Sequence, residues 1–174
     1  RGMRRAMPVA VLISCLWGLS AHAQYANKSL GVGFGVMSIN AENEPVKWGL
    51  PITLEGGLYI ENGFEAFVRI PLMILNQSPL SPPLIVGTGG QLGARYLFLE
   101  EDIRPWAGAE LSFLYIFRGD LQSAFFGLGP AAGVDYFVTD TVSIGAKGFF
   151  DLYLTLNAPV RVSFGAGLNV HTYF

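Results

Sequence analysis

The sequence predicts an all-β fold: eight antiparallel strands in up-and-down order, closed into a transmembrane β-barrel and preceded by a signal peptide. Three observations predict it. Hydrophobic residues make up 51% of the 174 residues, yet no apolar run reaches the roughly 20 residues of a spanning helix. From residue 29 onward, bulky apolar residues alternate with polar or small ones at period two. The alternating segments number eight, joined by connections that are tight and longer in turn. In lipid only helices and closed barrels satisfy every backbone polar group, so high hydrophobicity without a spanning helix leaves the barrel.

The N-terminus reads as an address. Arg1, Arg4 and Arg5 form a basic region, Val9 to Leu19 an apolar one, and Ala21-His22-Ala23 an A-x-A cleavage site with Gln24 the first mature residue. The expected organisation is therefore 1–23 signal peptide and 24–174 barrel. A competing lipoprotein signal, Leu12-Ile13-Ser14-Cys15, has a short apolar stretch before its cysteine, and Leu16-Trp17 continues that stretch beyond it. Cleavage removes three of eleven basic residues and none of thirteen acidic ones, leaving eight against thirteen, a formal charge of −5. That balance argues against nucleic-acid binding. It also removes Cys15, the only cysteine, and with it any thiol ligand, nucleophile or disulfide.

The first strand sets Leu30, Val32, Phe34 and Val36 against Gly31, Gly33, Gly35 and Met37, and a polar connection from Asn40 to Gly49 follows. The second sets Ile52, Leu54, Leu58 and Ile60 against Thr53, Glu55, Gly57 and Tyr59. Asn62-Gly63 then supplies a hairpin turn. The third sets Phe64, Ala66, Val68, Ile70 and Leu72 against Glu65, Phe67 and Arg69. Residues 76 to 85, with Pro79, Pro82 and Pro83, read as a loop. The fourth sets Leu92, Ala94, Tyr96 and Phe98 against Gln91, Gly93 and Arg95. The fifth sets Ala107, Ala109, Leu111, Phe113 and Tyr115 against Arg104, Trp106, Gly108, Glu110 and Ser112. Arg118 to Ala124 read as a long connection.

The sixth strand sets Phe126, Leu128, Ala132, Val134 and Tyr136 against Gly127, Gly129, Gly133 and Asp135. Pro130 inside it removes a ladder donor, which a bulge would absorb. The seventh sets Val142, Ile144, Ala146, Phe150, Leu152 and Leu154 against Ser143, Gly145, Lys147, Asp151 and Tyr153. After Asn157-Ala158-Pro159 the last strand sets Val160, Val162, Phe164, Ala166, Leu168 and Val170 against Arg161, Ser163, Gly165, Gly167, Asn169 and His171. Short turns and both ends of the barrel fall on one side, the expected periplasmic side.

A soluble eight-stranded barrel closes the same way but turns its bulky apolar residues inward. Here glycines share a face with the charges. Small residues make room for long charged ones inside a narrow lumen, so the bulky apolar face points to lipid. The inward face then carries Arg69, Arg95, Arg104, Lys147 and Arg161 with Glu55, Glu65, Glu110, Asp135 and Asp151. Five of each sign predict pairing, because an unpaired buried charge costs several kcal/mol. A lumen plugged by this network is one reading, and a gated pore whose pairs exchange is the other.

From 29 to 174 the chain resembles the small outer-membrane barrels of the OmpA-like, opacity-protein and OmpW-like superfamily. The resemblance rests on Arg104-Pro105-Trp106-Ala107-Gly108-Ala109, on Gly133-Val134-Asp135-Tyr136-Phe137, and on the closing Gly167-Leu168-Asn169-Val170-His171-Thr172-Tyr173-Phe174. It implies export to the outer membrane of a Gram-negative-type bacterium. It also implies an assembly signal at Leu168, Val170, Tyr173 and Phe174, read by the barrel-assembly machinery, with Thr172 in a slot that is usually apolar.

A serine nucleophile needs a positioned base. The mature chain has one histidine, His171, read as a polar residue at the barrel mouth with Thr172 next to it and no serine in reach. No catalytic residue is therefore expected, nor a metal cluster, nor a cofactor. Phe64, Tyr96, Phe98, Tyr136, Tyr173 and Phe174 are expected as one aromatic girdle, with Phe113, Tyr115, Phe117 and Phe150 toward the other. Leu72 to Val86 is apolar for a loop, so Leu80, Leu84 and Ile85 are candidate contacts for a protein partner or hydrophobic ligand. The expected role is non-enzymatic, structural or interactive in the cell envelope, with outer-membrane lipid as a partner. The alternative is a narrow porin-like channel or an OmpW-like conduit for small hydrophobic compounds.

Overall fold

A computed structural model describes residues 27–41, 46–76, 85–99, 101–118, 121–154 and 160–174. Eight strands run in chain order: β1 (Lys28–Ala41), β2 (Lys47–Glu61), β3 (Phe64–Asn76), β4 (Ile85–Leu97), β5 (Ile103–Arg118), β6 (Leu121–Thr139), β7 (Val142–Leu154) and β8 (Arg161–Tyr173). Each pairs antiparallel with its neighbours, and β1 closes on β8 from Ser29↔Tyr173 to Ala41↔Arg161. Closure leaves no edge, so the ladder satisfies the wall's backbone without water. The expected signal peptide of 1–23, with Gln24, and the loop residues Glu42, Glu44, Leu80, Leu84 and Asn157-Ala158-Pro159 lie outside the described residues.

Every inward and outward assignment along the alternation holds for the bulky and charged residues. Leu30, Phe34, Ile52, Leu92, Leu128 and Leu154 stand exposed on the outer wall, while Glu55, Arg69, Arg95, Glu110 and Asp135 are buried inside it. A register slip by one residue would invert both sets, so the two faces fix the pairing.

The strands are longer than the alternation alone indicated, at 13 to 19 residues. The Asn40–Gly49 stretch is not wholly a connection: β1 runs to Ala41 and β2 begins at Lys47, with Trp48 on the outer wall against Phe164. Leu72 to Asn76 belong to β3 and Ile85-Val86 to β4, so both ends of the apolar segment read as a loop are wall. Arg118 pairs with Leu121, which turns the expected long connection there into a tight one. Each extension has one cause. A residue that continues a ladder keeps its backbone groups bonded, whatever its side chain's polarity.

At Asn62 and Gly63, φ is 52° and 83°, the left-handed pair that a two-residue hairpin turn requires. No bulge forms at Pro130. The β6–β7 register is the same on either side of it, and the ladder passes over Gly129 and Pro130. Pro130 keeps its partner Ala109 on β5. The missing donor is absorbed by skipping pairs rather than by adding a residue. The irregularities lie near the turns instead, between Tyr59 and Glu61 and between Phe137 and Thr139.

Candidate functional site

Inward positions fill the lumen in layers. At the end holding the longer connections, Met37 and Ile39 of β1, Met73 and Leu75 of β3, Ile85 of β4, Leu114 of β5, Phe125 of β6 and Tyr153 of β7 pack into one apolar plug, with Ile116 and Phe149 against it. At the end of the tight turns, Leu97 and Trp106 pack with Tyr59, and Phe149 from the middle of β7 packs against both clusters. The charges lie between. Sequence reasoning missed the plug, although its signal was present: past residue 36 the inward positions of β1 change from glycine to Met37 and Ile39, and those of β3 past Arg69 to Met73 and Leu75.

Arg69 and Arg95 organise the charged layer. The Arg69 guanidinium donates from Nε to Glu55 Oε2, and from Nη1 to Glu110 Oε2 at 2.7 Å and Gln91 Oε1 at 3.3 Å. It lies 4.4 Å over the ring of Phe67. Arg95 donates from Nε to Glu65 Oε2 at 3.0 Å, and its Nη1 lies 3.3 Å from Asp135 Oδ2. Its guanidinium stacks 5.1 Å from the Trp106 ring. Ser29 supplies a further donor to Glu65 at 3.2 Å, and Lys147 stands 4.0 Å from Glu55. Tyr153 donates to Asp151 Oδ2 at 3.3 Å. Two charged forks, each shared by several carboxylates, match how a buried ion network has to be built. Every carboxylate oxygen left without a donor would cost free energy.

Two of the ten expected members are elsewhere. Arg104 sits at the turn end, donating to the Glu101 carbonyl at 3.0 Å and stacking 4.0 Å over Phe137. Arg161 lies at the opposite end over Phe125. Both strands carry the arginine at a terminal inward position, where its long side chain reaches out of the layer rather than into it. Among the described residues, the central layer therefore holds the five acids with Arg69, Arg95 and Lys147.

His171 joins them. It is not at the barrel mouth but fully buried, with Nε2 3.2 Å from Glu55 Oε1. Its cross-strand neighbour is a serine: Ser143 of β7 is paired with His171 of β8, on the same inward face and fully buried, with no hydrogen bond between the two side chains. The closeness comes from the ladder, which no scan along one strand reveals. Ser143, His171 and Glu55 have the composition of a nucleophile, base and acid, but all three are sealed in the lumen.

The inward glycines explain how the layer fits. A Cβ at Gly31 would strike the His171 ring, one at Gly57 would strike Glu65 and Ser29, one at Gly133 would strike Trp106, and one at Gly145 would strike both Asn169 and Asp135. A cavity of about 30 Å³ lies between plug and network, bordered by Met37, Met73, Leu114, Arg69, Glu110 and Lys147. A volume of that size takes a water molecule and no solute.

Leu168, Val170 and Phe174 face outward, as expected of an assembly signal. Tyr173 does not. It alternates with His171 onto the inner face, where its ring lies 5.0 Å from Phe137 and 6.3 Å from His171. It is thus absent from the girdle in which Phe64, Tyr96 and Phe98 stack at 5.0 and 5.4 Å. Of the expected apolar contacts, Ile85 is buried in the plug.

No protein-family model and no curated protein matches the sequence. Solved structures match the fold. Neisserial surface protein A is 21% identical over 84% of this chain and 97% of that chain, with a TM-score of 0.70. OprG, an outer-membrane protein of Pseudomonas aeruginosa, is 9% identical over 86% and 96%, with a TM-score of 0.56. Ail, the attachment invasion locus protein of Yersinia pestis, is 11% identical over 84% and 99%, with a TM-score of 0.52. The fold is that of a small bacterial outer-membrane β-barrel. The barrel's outer wall meets the demand this fold makes, a continuous apolar band flanked by aromatic rings.

Proposed function

We propose that the barrel has a non-enzymatic role in the cell envelope, structural or interactive, with a lumen that does not conduct. The observation that carries this reading is the layered filling of the lumen. Ions passing through would cross the apolar plug around Leu75 and Met73 and then the Arg69–Arg95 network, with a water-sized cavity between them. Either layer alone opposes them, the first by dewetting and the second by the cost of parting buried pairs. Interaction belongs to the loop end, whose connections rise from a rigid, filled wall. The name of Ail, an attachment and invasion protein of the same fold, is consistent with that use. His171 and Glu55 serve the network rather than catalysis, and the cavity between plug and network borders neither of them nor Ser143.

Planar-bilayer recording of the purified barrel tests the closed lumen. No steady single-channel opening is expected; steady openings that vanish when Arg95 and Glu110 are both neutralised would overturn it.

One observation favours a second reading, a conduit passing small hydrophobic compounds sideways into the membrane. The β3–β4 ladder omits the pairs of Ile70 and Pro71 with Gly90 and Gly89, and Pro71 borders the internal cavity. Gly90 has open space where a side chain would stand. Uptake of a fluorescent apolar probe into barrel-bearing vesicles, lost on Gly90→Leu, would support this reading over the first.

A further inference from the structure

The outer wall carries a recess that the fold does not require. Across β1 to β4 one outward row reads Leu30, Gly56, Val68 and Leu92, paired in register. Gly56 interrupts a row of bulky residues. A Cβ added there would meet Val68 Cγ1 at 3.7 Å and the Ser29 carbonyl at 3.9 Å, both ordinary contacts. Neither crowding nor a positive φ therefore demands glycine at this position. The next row toward the turns is Lys28, Leu58, Ala66 and Ala94, where small residues continue the depression. Together they leave a trough of about 420 Å³ bounded by Leu30, Leu58, Val68, Leu92 and Phe174, with Lys28 at its rim.

The rim lies at a definite depth. Phe64 and Tyr96 of the girdle stand two residues nearer the turn end than Ala66 and Ala94, a step of about 7 Å. Aromatic girdles mark the headgroup level, and Lys28, the first residue of β1 and bonded through its backbone to Phe174, lies at the same turn end of the barrel as this girdle. The Lys28 ammonium makes no ion pair among the described residues. A lysine at this depth extends along apolar wall and holds its charge toward the headgroups.

We infer that the trough is a specific phospholipid site: one acyl chain lies over Gly56 between Leu30 and Val68, and the anionic headgroup of the same lipid pairs with Lys28. The inference rests on the membrane-barrel reading and goes beyond it, since bulk lipid would cover the wall without preference. The occupant follows from charge and place. A bilayer offers acyl chains to an apolar recess at this level, and a cation at the rim with no ion pair among the described residues selects an acidic headgroup over a zwitterionic one.

The test uses the full-length barrel, purified in detergent and titrated with phosphatidylglycerol or phosphatidylethanolamine under native mass spectrometry. The expected result is one lipid retained after the others are stripped, with phosphatidylglycerol favoured by about fivefold, the preference that one lysine contributes near a charged surface. Gly56→Leu fills the trough and is expected to abolish the retained lipid. Lys28→Gln is expected to keep it and lose the headgroup preference. Ala66→Leu serves as the second filling variant if Gly56→Leu does not fold. Retention unchanged in the filled variants overturns the site, as does no retained lipid in the parent. A dimer that Gly56→Leu converts to monomer also overturns it, by placing a second copy of the chain in the trough. Flotation with vesicles and heat-modifiable migration report insertion separately. Failure there breaks the membrane reading itself, whereas normal insertion without a retained lipid breaks only the site.

Discussion

Gly31 and Gly56 sit in adjacent rows of the same β1–β2 ladder, Gly31 opposite Glu55 and Gly56 opposite Leu30. Their environments differ completely. A side chain on Gly31 would enter the His171 ring, while one on Gly56 would touch its neighbours at ordinary distances. Gly57, Gly133 and Gly145 repeat the first case, and the outward Gly90 and Gly148 repeat the second, Gly148 meeting only the Gly165 carbonyl at 3.8 Å. Inside, glycine is volume ceded to arginine, histidine and tryptophan. Outside, it is relief on a surface that lipid covers. The same residue type thus does opposite work on the two faces of one wall, because only the inner face is crowded.

Four substitutions test that contrast, in descending order of effect. Arg95→Met leaves Glu65 and Asp135 buried without their cation, and is expected to cost about 3–5 kcal/mol in the urea unfolding of the refolded barrel. A loss below ~1 kcal/mol would mean that the layer is hydrated rather than packed. Leu75→Ala opens the plug and is expected to cost about 2–5 kcal/mol by the same measurement, with the lower end if Met73 collapses into the space. Gly31→Ala forces the His171 ring away from Glu55, at a cost of about 1–3 kcal/mol. A change of chemical shift at the His171 ring is expected to accompany it. Gly148→Ala, on the outer face, is expected to shift stability by no more than about 0.5 kcal/mol, in the stabilising direction, because alanine restricts the unfolded strand. If Gly31→Ala and Gly148→Ala cost the same, the inner face is not crowded and the comparison fails.

Much of the barrel was legible before any coordinates. Period-two alternation placed Glu55, Arg69, Arg95, Glu110, Asp135, Lys147 and Asp151 inward, and all seven are there. Alternation is a property of the extended backbone and needs no knowledge of partners. The ends of the strands were less legible. Composition around Asn40 and Leu72 suggested loops, but the ladder continues through both. Tyr173 was misplaced for a related reason: grouping it with Phe174 followed aromatic character rather than the parity it shares with His171.

The sequence by itself determined the strand number and the two faces, since each follows from local spacing along one chain. Only the tertiary structure decided who meets whom. Arg95 meets Asp135 across two strand spacings, His171 comes to Glu55 through the β1–β8 closure, and Ser143 reaches His171 through the β7–β8 register. Those meetings depend on strand stagger around a closed ring, a relation among all eight strands that no single strand encodes. The lumen's division into apolar and charged layers has the same origin. The residues that build each layer are scattered along the chain and become layers only when the barrel closes.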